Sequence, residues 1–92
     1  MPEPVCGLDV GDGAGWVARP DLCWPRVRVA VEYDGDHHRT DRKQWRSDVR
    51  RKQALEDEGW RVVVLTADDV LRRPTATVAR VAAALRERGL QW

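Results

Sequence analysis

The first half of the sequence sets three carboxylates close to one another. Asp21 follows Arg19-Pro20, and Glu32 and Asp34 stand two residues apart. Residues i and i+2 of a strand point to one face, so Glu32 and Asp34 are co-directional if they lie on a strand. A neighbouring strand that ends at Asp21 would bring a third acid against that pair. Carboxylates so close raise one another's pKa unless a cation lies between them. An oxygen-only cluster selects a hard ion, Mg²⁺ or Mn²⁺, and leaves coordination positions for water and a phosphate oxygen. The plainer reading is that these acids end strands at solvated turns.

His37 and His38 are the two histidines of the chain and follow Gly35 within six residues of Glu32. Either imidazole could deprotonate a water near neutral pH. Further on, Asp48 lies three residues after Trp45 and beside Val49, at the edge of what reads as the apolar stripe of a helix set by Trp45, Val49 and Leu55. An acid near a buried face requires a partner. Arg51, at i+3, offers a local ion pair, and a histidine held by Asp48 is the functional alternative.

Charge is distributed unevenly although the net charge is only +1. Residues 1–38 carry seven acids against three bases, residues 39–52 seven bases against two acids, and the remainder balances. An acidic segment feeding a basic one is what a metal site beside a phosphate-binding surface needs. Arg39, Arg42, Lys43, Arg46 and Arg51 are the candidates for meeting a DNA backbone, with a solvated basic helix face as the alternative.

The elements that must position these residues follow from pattern. Residues 1–14, rich in Gly, Pro and Asp with a turn at Asp12-Gly13, read as an arm or hairpin before a core over 15–90. Trp16 to Asp21 reads as a strand, Trp24-Pro25 as a turn, and Val27, Val29 and Val31 alternate with Arg28, Ala30 and Glu32 as in a half-buried strand. Thr40 or Asp41 is placed to cap a helix running to about Glu58, closed by Gly59. The apolar run Arg61–Thr66 predicts a strand covered on both faces. A helical turn over Ala67–Arg72 and a last helix from Pro74 follow, the latter with Val78, Val81, Ala82 and Leu85 on one face and Gly89 at its end. This order implies an α/β fold, a small mixed β-sheet flanked by helices.

Composition sets the class. Ninety-two residues with 42% hydrophobic and 34% charged residues describe one soluble domain with a modest core, in which five Trp and no Phe point to indoles as fillers. No apolar run reaches the roughly 20 residues of a membrane span, and no signal peptide is read, so a cytoplasmic location is expected. Cys6 and Cys23 are expected to be reduced; a zinc site from both thiols and His37 or His38 lacks paired CxxC spacing. A core this small also leaves room for a homodimer.

Arg19-Pro20-Asp21, then Glu32-Tyr33-Asp34-Gly35-Asp36-His37-His38, then Asp48 before Gly59-Trp60-Arg61-Val62, resembles the PD-(D/E)xK nuclease superfamily, and within it the very-short-patch-repair endonuclease branch. The likeness covers roughly residues 15–88. It implies a restriction-endonuclease-like core in which Asp21 binds Mg²⁺, Glu32 fits the superfamily's Glu, His38 is the general base, and Asp48 supports the imidazole. By residue type and position, Glu32 and Asp34 join the candidate metal ligands and His37 is a second candidate base. Three departures bear on this. Asp34 stands where the superfamily has Lys, which leaves base chemistry to the histidine or the extra acid. The chain has little room for the superfamily's first helix. It also lacks the cysteine cluster of that branch's structural zinc, and with Trp24 and Tyr33 as the nearby aromatics, mismatch specificity does not carry over. The resemblance implies a Mg²⁺- or Mn²⁺-dependent DNA endonuclease of repair or defence. The alternatives are a non-catalytic DNA-binding or protein-interaction module that kept the fold, and an RNA nuclease.

Overall fold

The computed structural model describes residues 1–11, 15–34 and 42–92. Among them the elements are β1 (Val5–Cys6), β2 (Val10–Gly11), β3 (Trp16–Ala18), β4 (Leu22–Trp24), β5 (Val29–Asp34), α1 (Arg42–Asp57), β6 (Arg61–Thr66), α2 (Ala67–Arg72) and α3 (Pro74–Glu87). The main sheet runs β1-β4-β5-β6, with β1, β4 and β5 antiparallel and β6 parallel to β5. β2 and β3 form a separate antiparallel pair. This is the mixed sheet with flanking helices expected from the sequence.

The sheet is covered on both faces. On one, Cys23, Ala30 and Val62 pack with Leu55 of α1, Trp60, Val10 and Ala18. On the other, Trp24, Val29, Val31 and Val63 meet Val81, Ala84 and Leu85 of α3. Successive residues of β5 therefore all lose solvent: Val29, Ala30, Val31 and Glu32 are buried. The half-buried alternation expected for this strand is corrected accordingly, because helices lie on both of its faces.

Other boundaries differ from the sequence reading for local reasons. Trp16–Asp21 is not one strand. Pro20, fully buried and lacking an N–H, stands where the chain leaves β3 for the larger sheet and re-enters as β4. The strand expected from Val27 starts at Val29, since Val27 and Arg28 close a turn on Trp24 and Pro25 and Arg28 has a left-handed φ of 54°. Trp24 and Trp60 fill the core as anticipated for indoles, whereas Trp16, Trp45 and Trp92 are exposed.

α1 ends where expected. Gly59 has φ 86°, its N–H donates to Glu56 O at 2.9 Å, and the N–H of Trp60 donates to Leu55 O at 3.0 Å, the paired bonds of a Schellman stop that a Cβ would strain. Its proposed caps, Thr40 and Asp41, and the Asp12-Gly13 turn lie outside the described residues. The apolar stripe of α1 is corrected: Leu55 is buried, but Trp45 and Val49 are exposed. In α3, Thr77 takes the buried place expected of Val78, and its hydroxyl donates to Asp69 O at 2.9 Å. No described helix is long and apolar enough to cross a membrane. Cys6, exposed, and Cys23, buried, are not joined by a disulfide.

Candidate active site

Asp21 and Glu32 meet because β4 and β5 are antiparallel. Leu22 pairs with Val31, so continuing the register by one residue sets Asp21, just before β4, opposite Glu32 near the end of β5. Both lie on the α1 side with Cys23 and Ala30, two residues further into each strand. The backbone joins them: the N–H of Tyr33 donates to Asp21 Oδ2 at 2.7 Å. A backbone bond from Asp21 also reaches the Glu32 carboxyl.

Glu32 is the buried acid of the site, with 7% exposure. Desolvation pushes its pKa above the usual value; Arg51 opposes this, Asp21 and Asp48 add to it, and the Asp21 backbone bond opposes it slightly. Arg51 of α1 sets Nε 3.2 Å from Glu32 Oε1 and Nη2 3.3 Å from Asp48 Oδ1. The contact with Glu32 is close but poorly aligned, and both Glu32 Oε1 and Arg51 Nε are buried without a hydrogen bond. Asp48 thus has the i+3 ion pair foreseen for it, and Arg51 reaches past it to the strand.

Above Glu32 opens a cleft of about 120 Å³ lined by Tyr33, Asp34, Trp45, Asp48, Arg51 and Lys52 among others. Asp34 lies on its rim, two residues along the strand face from Glu32. Trp45 and Val49, misplaced in the core by pattern alone, are walls of this cleft. Arg42, Lys43 and Arg46 are exposed along the first turns of α1, the helix whose Trp45, Asp48 and Val49 line the cleft. His37, His38 and Arg39 lie outside the described residues.

The donors present suit a hard divalent ion. Asp21 and Glu32 are opposed in the strand register, and one carboxylate oxygen, Glu32 Oε1, is buried with no hydrogen bond to satisfy it. Among the described residues no set of three or more His, Cys, Asp or Glu is gathered as a metal site. Mg²⁺ needs only one or two protein carboxylates, because water and phosphate complete its shell.

Sequence reasoning missed the reach of Arg51 to Glu32 and the anchoring of Asp21 by Tyr33. A signal for the first was available: a buried strand acid facing a helix needs a cation on that helix, and Arg51 is one turn from Asp48. The second is a main-chain contact that no side-chain pattern reveals.

Among known proteins, the chain is similar to uncharacterized proteins of Mycobacterium tuberculosis strains CDC 1551 and H37Rv, 31% identical to each over 82 residues. That match covers 89% of this chain and 30% of those proteins, so the chain spans about a third of their length. No solved structure matches it. The family model REase_MTES_1575, restriction-endonuclease-like, matches residues 16–85, the whole stretch from β3 through most of α3 that builds the cleft, and the chain belongs to that family.

Proposed function

We propose that the domain is a metal-dependent DNA endonuclease, a finer reading than the nuclease-type domain its family implies. The observation that carries it is the register of β4 on β5, which sets Asp21 opposite the desolvated Glu32, and Glu32 in turn lines a cleft together with Arg51 and Lys52. In this reading Asp21 and Glu32, with Asp34 from the rim, hold Mg²⁺ or Mn²⁺. When bound, the ion would offset the charge that develops on a phosphate and lower the pKa of a water. His38 or His37 takes the proton of the attacking water and Asp48 orients the imidazole, as in the very-short-patch-repair branch. Arg39, Arg42, Lys43 and Arg46 bind the flanking phosphates, and the Arg51 guanidinium lies within reach of the same path. A cytoplasmic location and action on DNA in repair or defence belong to the same reading.

The test is cleavage of supercoiled plasmid with Mg²⁺ or Mn²⁺. Wild type is expected to nick or linearise it, while Asp21→Asn and Glu32→Gln each lose activity a hundredfold or more, on the order of what a metal site contributes. His38→Ala is expected to lose about a hundredfold while DNA affinity is kept. Wild-type protein that binds DNA and never cuts it with either ion would replace this reading with a binding module.

A further inference from the structure

Glu32 is buried and its Oε1 has no hydrogen bond, so its negative charge needs a cation close by whatever the state of the site. The structure supplies one. Arg51 lies 3.2 Å from that oxygen and 3.3 Å from Asp48, yet its Nε is also buried without a hydrogen bond. A guanidinium that belonged permanently to Glu32 would be expected to meet it in an aligned, bidentate fork. Here the closest approach, Nε to Oε1, is misaligned and makes no hydrogen bond. The side chain is 37% exposed, so the same long arm also reaches solvent at the mouth of the cleft.

We infer that Arg51 is a displaceable counter-ion for Glu32: it holds the carboxylate when no metal is present, must release Oε1 when a divalent ion binds, and then turns outward into the cleft. This rests on the reading of Glu32 as a metal ligand. Arg51 is a positioning residue in this scheme. It keeps the acidic floor from repelling itself apart in the empty domain, and metal loading and delivery of a guanidinium to the cleft become one exchange. Asp48 is the second anchor that guides the arm, since it keeps one end of the guanidinium as Glu32 lets go of the other.

The exchange is tested by Mn²⁺ titration calorimetry at pH 8 on wild type, Arg51→Gln, Arg51→Lys, Lys52→Gln and Glu32→Gln. Arg51→Gln is expected to bind Mn²⁺ more tightly by about tenfold, the effect of removing roughly 1.4 kcal/mol of competition. Arg51→Lys should stay near wild type. Lys52→Gln removes an equal charge from the same cleft without touching Glu32, and should gain much less. Equal gains for Arg51→Gln and Lys52→Gln, or none for Arg51→Gln, overturn the exchange while leaving the metal reading intact. Glu32→Gln that binds Mn²⁺ as well as wild type, or a wild type that binds none, removes the metal reading and the exchange with it. Should Arg51→Gln not fold, the Arg51 Nε–H resonance of the wild type is followed as Mg²⁺ is added. It should move from a protected to a solvent-exchanging signal, and an unmoved signal at saturating Mg²⁺ overturns the proposal.

Discussion

The backbone N–H of Tyr33 donates to Asp21 Oδ2 at 2.7 Å, and through that bond the acid before one strand is fixed to the strand that carries Glu32. The carboxylate thereby has two duties. One oxygen ties β4 to β5 at the open end of their pairing, and the charge adds to the upward push on Glu32.

Those duties separate by substitution. Asp21→Asn keeps an acceptor for the Tyr33 N–H and should hold stability within about 0.5 kcal/mol, while activity collapses. Asp21→Ala removes the acceptor as well. Because the bond is at an exposed site, its loss should cost only about 1 kcal/mol, read by urea titration. Equal stability losses in the two variants would show that the bond to Tyr33 contributes nothing.

Leu55 and Trp45 should respond in opposite ways. Leu55 is fully buried where α1 meets the sheet, so Leu55→Ala is expected to cost about 2–5 kcal/mol. Trp45 is 57% exposed, so Trp45→Ala should leave the midpoint of unfolding nearly unchanged. A large loss for Trp45→Ala would return that indole to the core.

The two thiols should also be told apart by reagent. Cys6 is exposed on β1, while Cys23 is buried on β4 and burial raises its pKa. A thiol-specific reagent at pH 8 is expected to modify one cysteine per folded chain quickly and the second only on unfolding. Rapid modification of both in native buffer would contradict the packing around Cys23.

Much of this arrangement could be read from the sequence, and the misses share a cause. The apolar run Arg61–Thr66 and the Gly59 stop are strong local signals, and both appear as read. The meeting of Asp21 with Glu32 was also legible, because adjacent strand ends bring their terminal residues together. β1 and β2 are two residues long and carry no period to detect. Trp45 and Val49 look like core by type and spacing. At that end of α1, however, the inner face lies over the polar rim of the sheet, where Arg51 turns inward to meet Glu32 and pairs with Asp48. A tertiary charge decided which face was buried, and helical periodicity does not report it.

Acid should weaken the fold partly through Asp69. Its carboxyl accepts the Thr66 N–H at 3.0 Å while its own N–H donates to Thr66 Oγ1 at 3.2 Å, a capping box at the start of α2. The bond from the Thr66 backbone, helped by the Thr66 side chain, Arg80 and Arg73, holds its pKa below the ordinary 3.8. A depressed acid stabilises the fold fully above its unfolded value, and that stabilisation is lost as pH falls through the lower folded value. The thermal midpoint of wild type should therefore fall more steeply below about pH 4 than that of Asp69→Asn. Parallel curves for the two proteins would mean that the box does not titrate with folding.

The basic start of α1 gives the last test, which separates a DNA-facing surface from a merely solvated one. Arg42 and Arg46 are one helical turn apart and exposed, beside the cleft that Trp45 and Asp48 line. Side chains that pair with phosphates release condensed counterions, and each such contact adds about −0.9 to the slope of log affinity against log salt on duplex DNA. Reversing Arg42 and Arg46 to Glu should therefore weaken binding of a short duplex at low salt and flatten that slope by about 2. Arg72→Glu is the control: Arg72 is 82% exposed on α2, paired with Asp68 at 3.4 Å, and not part of the cleft lining, so it should leave the slope unchanged. If both proteins lose affinity equally, only the net charge matters. If neither changes, the surface that meets DNA lies elsewhere on the domain.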